Sequence, residues 1–172
     1  YGDSFIEDIV RAWTSAYKAK ESVQHDWRNV ELIIKIATNT LQYYSDALVG
    51  DLVDVCGICI QSVTSDKTLL CMAGLDFVGR VPRVLFGCAD DFKEKFYKLL
   101  MQYISSSSYV LSCTAVQVMQ ELITAKLFSN HGCELLTLFV PTIHTLKGQP
   151  LLNVCDLVSS IMESIPKSAY PY

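Results

Sequence analysis

The chain has 172 residues and a net charge of −4. This length suits one domain, because a chain of about 150 residues already buries about 70% of the surface that it exposes when unfolded. The acidic balance argues against a nucleic-acid-binding protein, since affinity for phosphates comes from Lys and Arg. Apolar residues make up 51% of the chain. Polar residues nevertheless interrupt every apolar run well before the length of about 20 residues that spans a membrane.

The first elements expected along the chain are three helices. A capping-box pattern, Ser-Phe-Ile-Glu, opens a helix over residues 4–17. Apolar residues at helical spacing predict a second helix over 26–41. The stretch 46–63 is apolar on nearly every side, which predicts a helix buried between neighbours. Its many β-branched residues also permit a strand, because short apolar runs are ambiguous by periodicity alone.

Further helices are expected over 66–79, 90–103, 111–122, 135–146 and 150–161. Pro82 breaks the chain after the first of these, since proline lacks a backbone donor and disfavours helix at the preceding residue. A run of four serines forms a turn with Ser108 available as a helix cap. Pro141 lies inside an apolar stripe and should kink that helix. Pro150 suits the first turn of the last helix, and residues 166–172 are expected to form an irregular tail.

Residues that can begin a helix recur at nearly constant intervals. The first series consists of Asp26, Asp66, Ser108 and Gln149, and the second consists of Ser45, Asp90 and Asn130. In both series the neighbouring members are separated by about forty residues, and such a period with two helices per unit is typical of HEAT and armadillo repeats. The sequence therefore predicts an all-α, HEAT/armadillo-like α-solenoid of about eight helices in antiparallel pairs. We expect residues 1–165 to be a single segment of a longer array.

Seven cysteines invite a metal or redox interpretation. The one close pair, Cys56 and Cys59, has the spacing of thioredoxin-like centres and of half a zinc ribbon. Zinc needs four ligands and a redox pair needs a helix N-terminus, whereas this pair lies inside the apolar stretch and no second pair follows. We expect the cysteines to be reduced and to pack in the core, which places the protein in a reducing compartment, the cytoplasm or the nucleus. No catalytic motif occurs, so we expect a non-enzymatic protein without a catalytic, cofactor-binding or metal-binding residue.

One surface feature suggests a binding site for another protein. Arg80 and Arg83 flank the break at Pro82, and Phe77 and Phe86 lie close by in the sequence. Arginine beside exposed aromatic residues is common in binding hot spots. The alternative is a loop whose aromatic side chains enter the core and whose arginines are merely solvated. The candidate partner-binding residues are therefore Arg80, Arg83 and Phe86.

The region between Tyr44 and Ile104, less than half of the chain, resembles a known family. Its matching segments are ALVGDLVDVCGIC at 47–59, SVTS at 62–65, GLDFV at 74–78 and YKLL at 97–100. These segments resemble the N-terminal HEAT region of tuberin, the large subunit of the tuberous sclerosis complex.

The resemblance implies a scaffold that binds the coiled-coil region of hamartin, in a complex that regulates the small GTPase Rheb and TOR signalling. The GTPase-activating domain of that family lies near its opposite end, so the resemblance carries over no catalytic residue. The implied partner is a coiled-coil or amphipathic helix. Two alternatives stay open: a TOG-type or other HEAT/armadillo adaptor that binds tubulin, a helix or a peptide, and an enzyme. An enzyme would need polar groups that converge in a pocket.

Overall fold

A computed structural model describes residues 27–44, 61–80, 90–145 and 147–165, together with Asp8. These residues are mostly helical and contain no strand, so the expected all-α class is confirmed for the described part of the chain. The α-helices described are α1 (Trp27–Tyr44), α2 (Thr68–Arg80), α3 (Asp90–Ile104), α4 (Tyr109–Thr124), α5 (Gly132–Phe139) and α6 (Gln149–Ser164). Two 3₁₀ segments occur at Ser129–His131 and Val140–Thr145. Most of the helix expected at 4–17, the residues 45–60 and the tail 166–172 lie outside the described residues.

Four of the helices begin at regular intervals. Helices α1, α2, α4 and α6 begin at Trp27, Thr68, Tyr109 and Gln149. Successive starts are thus about forty residues apart, the period expected of HEAT and armadillo repeats. Each start coincides with, or closely follows, the polar residue expected to open the helix.

The expected helix caps are only partly right. Ser108 occupies the N-cap position of α4 but its side chain makes no capping hydrogen bond. Before α2, Ser65 Oγ accepts a hydrogen bond from the Lys67 N–H at 3.1 Å. The Asp66 carboxylate is exposed and pairs with Lys67 Nζ instead of capping the helix.

The chain divides into two compact units, and in the first, Tyr1–Phe92, α1 and α2 pack against each other. Helix α1 buries Ile34 and Thr38, which lie one turn apart. The Thr38 hydroxyl donates to the Ile34 carbonyl at 2.8 Å, so the buried hydroxyl keeps a partner. Helix α2 is buried on most sides, through Leu70, Cys71, Ala73, Gly74, Leu75, Phe77, Val78 and Gly79. Such a helix needs neighbours around most of its circumference.

In the second unit, Lys93–Tyr172, helix α6 packs against both α4 and α5. Helix α5 runs antiparallel to α6. Gly132, at the start of α5, lies against the end of α6, where an added Cβ would be 2.6 Å from Ile165 Cγ2. Phe139, at the end of α5, lines the same cavity as Val154 in the first half of α6. Glycine at position 132 therefore permits the close approach of the two helices.

Helices α3 and α5 run in the same direction. The Tyr97 hydroxyl, in the middle of α3, donates to Glu134 Oε2 at the start of α5 at 3.0 Å. Ile104 and Phe139, at the ends of the two helices, line one cavity. In the second unit α3 is thus linked to α5 by side-chain contacts, and α5 is antiparallel to α6.

The α-helix expected around Pro141 is not continuous. Helix α5 ends at Phe139 and the chain continues as a 3₁₀ helix over Val140–Thr145, so the expectation of a kinked α-helix was wrong. The reason is that Pro141 has no N–H to donate to the carbonyl four residues earlier and its ring crowds that carbonyl. The following turn places Gly148 at φ 63° and ψ −142°, a conformation essentially restricted to glycine. Pro150 then lies in the first turn of α6, as expected.

The end of α4 is a Schellman motif built without glycine. Lys126 N donates to the Ile123 carbonyl at 2.8 Å, and Leu127 N donates to the Leu122 carbonyl at 3.0 Å. Lys126 has φ 62°, the left-handed region in which a Cβ costs about 1 kcal/mol or more. The motif turns the chain so that Phe128 is fully buried.

Replacing Lys126 with glycine should therefore stabilise the protein. We expect the free energy of unfolding of Lys126→Gly to rise by about 0.5–1 kcal/mol, less than the strain removed because glycine also gains freedom in the unfolded chain. Urea denaturation measures this value. Lys126→Ala is the control: it removes the same charge and side-chain stem but keeps the Cβ, and should bring no such gain. Equal stabilities for the two variants would contradict the assignment of strain to this residue.

Candidate functional site

The candidate binding residues at the end of α2 are only partly within the described chain. Arg80 is the last residue of α2, is exposed, and donates from Nε to Asp76 Oδ1 at 2.9 Å. Its guanidinium is thus held along the helix by a carboxylate one turn earlier. Phe77 is completely buried. Arg83 and Phe86 lie outside the described residues.

The cysteines do not all share the buried position expected for them. Cys71 is buried, and its thiol donates to the Val63 carbonyl at 3.1 Å. Cys113 and Cys155 are half-buried. Cys133 is exposed, so the expectation that it packs in the core was wrong. The short helix α5 turns Leu135, Leu136 and Phe139 to the core, so Cys133 lies off the buried face. Cys56 and Cys59 lie outside the described residues.

Within the described ranges, no group of three or more His, Cys, Asp or Glu side chains has the geometry to hold a metal ion. No helix among these residues combines the length and the hydropathy needed to cross a membrane.

A cavity that is partly open to solvent lies within the second unit, between the end of α3, the first half of α4, the end of α5 and the start of α6. Its volume is about 260 Å³. The residues that line it are Ile104, Ser105, Ser112, Cys113, Val116, Leu138, Phe139, Pro150, Asn153 and Val154. The lining is predominantly apolar with a few polar groups, which is the usual composition of a small-molecule site.

The first two turns of α4 form one wall of this cavity. The Ser112 hydroxyl donates to the Ile104 carbonyl at 2.8 Å, which joins α4 to the last turn of α3. A hydrogen bond with the Cys113 thiol raises the pKa of the Tyr109 hydroxyl. Ser112 and Cys113 line this cavity with small side chains, whereas larger apolar residues occupy the buried positions elsewhere in the unit. Their size leaves room in the cavity.

The opposite wall contains a buried side-chain amide. Asn153 is only 6% exposed, and its Oδ1 accepts a hydrogen bond from Gln149 Nε2 at 2.8 Å. Among the described residues, Asn153 Nδ2 has no hydrogen-bond partner, and the atom itself is buried from solvent. A buried amide donor without a partner is costly, and most such groups in proteins are satisfied. Asn153 is therefore the polar group of this cavity that needs an explanation.

A separate polar cluster lies at the start of α5. The ring of Tyr97 stacks on that of His131 with centroids 3.9 Å apart and also contacts Phe128. His131 Nδ1 lies 3.3 Å from Glu134 Oε2, and His131 Nε2 lies 3.5 Å from Glu94 Oε1. The cluster joins α3 to α5 through the 3₁₀ turn between α4 and α5.

Burial raises the pKa of the Tyr97 hydroxyl well above its ordinary value, and the hydrogen bond to Glu134 and the charges of Glu134 and Glu94 act in the same direction. Ionising this phenol would leave a buried anion beside carboxylates. The arrangement suits a structural link, because the phenol stays protonated over the range in which a general acid or base must exchange its proton.

Stability should therefore fall at alkaline pH through Tyr97. The pKa of Tyr97 is higher in the folded protein than in the unfolded chain. The contribution of Tyr97 to the free energy of unfolding is therefore complete below the unfolded-state pKa of about 10 and is lost as the pH rises above that value. Each pH unit above 10 should lower the free energy of unfolding by up to about 1.4 kcal/mol through this group. Urea denaturation of the unmodified protein and of Tyr97→Phe, between pH 8 and pH 11, measures the effect. Tyr97→Phe should show a shallower decline above pH 10, and equal slopes would contradict this role.

The cavity is the feature that sequence reasoning missed. Asn153 occupies a position of the apolar stripe that continues through Val154, Leu157 and Ile161 on α6. A polar residue at a core position was the available signal. It did not reveal the neighbours from α3, α4 and α5 that complete the cavity.

Comparisons with protein-family models, with curated proteins and with solved structures found no match to this chain.

Proposed function

We propose that the chain forms part of a HEAT/armadillo-like α-solenoid that acts as a non-enzymatic protein-interaction scaffold. The observation that carries this proposal is the regular start of α1, α2, α4 and α6, at Trp27, Thr68, Tyr109 and Gln149. Paired helices that repeat every forty residues or so are typical of such arrays. The packing in the second unit agrees, because α3 and α5 run in one direction while α5 and α6 are antiparallel.

Exposed apolar side chains offer surfaces for a protein partner. On α1, Leu32 is 58% exposed and Ile36, one turn later, is 47% exposed. On α6, Leu152 and Met162 are also exposed. An amphipathic helix binds such surfaces through apolar residues at intervals of three, four and seven positions. A helical segment is therefore the kind of partner that this scaffold suits.

The resemblance to the N-terminal region of tuberin names a specific partner. On that basis the chain binds a hamartin-like coiled-coil helix in the cytoplasm, as part of a complex that regulates a small GTPase. Arg80 and Arg83 would contribute to the polar rim around the apolar contact, and Phe86 is the further candidate partner-binding residue.

Titration with a hamartin coiled-coil fragment tests this partner directly. We expect saturable binding in isothermal calorimetry with a negative heat-capacity change, because apolar surface is removed from water. The N-terminal region of tuberin, titrated in parallel, is the positive control. Heat from that control without heat from this chain would exclude the hamartin-like partner and leave the general scaffold proposal.

Reversing both arginines should weaken the same interaction. We expect Arg80→Glu with Arg83→Glu to lower affinity about tenfold, mainly by slowing association, because rim charges steer the encounter. The melting temperature should change little, since the exposed Arg80–Asp76 pair contributes at most about 1 kcal/mol. Lys67→Glu is the matched control because it reverses another exposed charge of the first unit that pairs with a neighbouring Asp. Equal losses in the control and the double variant would exclude a specific role for the arginines.

A further inference from the structure

We propose that this chain also binds a second copy of itself head to tail, with the exposed face of α6 in one copy packed against the exposed face of α1 in the next. The inference rests on the α-solenoid proposed above, but it concerns a contact other than that with the hamartin-like helix. The argument comes from the packing of the repeat, from the spacing and size of the exposed residues, and from their charges.

Helices that belong to the forty-residue series pack against each other. Helix α1 contacts α2 in the first unit, and α4 contacts α6 in the second. Each repeat of such an array buries its apolar surface against a neighbouring repeat. A helix of the same series is therefore a suitable neighbour for the uncovered side of α6, and α1 of a second copy is such a helix.

The uncovered sides of α1 and α6 carry stripes of residues with the same spacing. Both stripes advance by three, four and three residues, the spacing at which two helices pack along a shared seam. The α1 stripe consists of Asn29, Leu32, Ile36 and Asn39, and the α6 stripe consists of Leu152, Cys155, Ser159 and Met162. All of these residues are exposed except Cys155, which is half-buried.

The two stripes are complementary in the sizes of their residues. The large apolar residues of the α1 stripe, Leu32 and Ile36, lie in its middle, whereas those of the α6 stripe lie at its ends. The middle of the α6 stripe holds the small residues Cys155 and Ser159. Two parallel helices with these stripes in register thus place large residues opposite small ones. Such alternation lets facing layers of side chains interdigitate.

Charges of opposite sign border the two stripes. Arg28 and Lys35 are exposed beside the α1 stripe, and Asp156 and Glu163 are exposed beside the α6 stripe. Helix α6 contains no Lys or Arg. On α1 the carboxylate of Glu31 pairs with Lys35, but the Glu31 side chain is only 14% exposed. The exposed charge is therefore mainly basic on α1 and entirely acidic on α6, which favours their association.

The charged residues also determine the relative direction of the two helices. With about 3.6 residues per turn, Arg28 and Lys35 lie about 70° to one side of the α1 stripe, and Asp156 and Glu163 lie about 70° to the other side of the α6 stripe. When the stripes face each other, a parallel arrangement brings the four charges to the same flank of the contact. An antiparallel arrangement separates the basic pair from the acidic pair. The charges therefore select parallel packing, the same arrangement that the residue sizes favour.

Two complementary variants test the contact by sedimentation equilibrium. Leu32→Gln with Ile36→Gln alters only the α1 face, and Leu152→Gln with Met162→Gln alters only the α6 face. We expect the unmodified chain to form oligomers at concentrations up to about 1 mM, and each double variant to remain monomeric. An equimolar mixture of the two should form a heterodimer and nothing larger, because each variant keeps one intact face of a head-to-tail contact.

Several results would overturn this proposal: a monomeric unmodified chain, double variants that still associate alone, or a mixture without heterodimer. All four substituted residues are exposed, so melting temperatures should stay close to that of the unmodified chain. Leu69→Gln with Val110→Gln is the matched control, since it replaces two exposed apolar residues outside both stripes. This control should associate as the unmodified chain does, and an equal loss of association would contradict the assignment to α1 and α6.

Charge reversal tests the parallel arrangement. Asp156→Lys with Glu163→Lys should weaken self-association about tenfold, because like charges then meet at the flank of the contact. Adding Arg28→Glu and Lys35→Glu to the same chain should restore it. An effect of the first pair on folding alone would not be reversed in this way. Failure of the second pair to restore association would contradict the parallel contact.

The hamartin titration separates this contact from the proposed function. It is repeated with the Leu152→Gln, Met162→Gln chain, which should be monomeric. An unmodified chain that stays monomeric but binds the hamartin fragment would overturn only the head-to-tail contact. Self-association without heat from the hamartin fragment would exclude only the hamartin-like partner.

Discussion

The packing of α6 against α4 and α5 is the constraint on which the second unit depends. It is tight at the end of α6, where Gly132 of α5 leaves no space for a Cβ beside Ile165. The other end is different because Asn153 on α6 and the small side chains of Ser112 and Cys113 on α4 line the same cavity. Proteins pack their interiors at nearly crystalline density, so small residues facing each other leave a void unless a neighbour moves in. The sizes of the residues on α4, α5 and α6 thus explain both the close approach of α5 to α6 at Gly132 and the cavity between α4 and α6.

Other interactions in the second unit position the walls of this cavity. The Ser112 hydroxyl ties α4 to the end of α3, and the 3₁₀ segment after Phe139 directs the chain away before α6 begins. In the middle of α3, Tyr97 contacts His131 and Glu134 and so links α3 to the start of α5. The shape of the cavity therefore depends on side chains from four helices.

The local patterns in the sequence predicted much of the helical structure. Helix α2 ends at Arg80, directly after the expected Gly79, and α6 begins at the expected Gln149. Errors arose where a residue type permits two outcomes. Pro141 can kink an α-helix or end it, and here α5 ends before it. Ser108 can cap α4 with its hydroxyl, but its side chain makes no such hydrogen bond. The serine that makes a helix-joining hydrogen bond is Ser112, which links α4 to the end of α3.

The sequence by itself determined the all-α class and the regular spacing of the helix starts, because these depend on periodicity and backbone preference along one segment. Only the tertiary structure decided that α5 runs antiparallel to α6, that Cys133 faces outward and that Asn153 borders a cavity. These features depend on which side chains from four separate segments meet in space. Periodicity shows that a helix has a buried face, but the sizes of the residues brought opposite that face decide whether the space is filled.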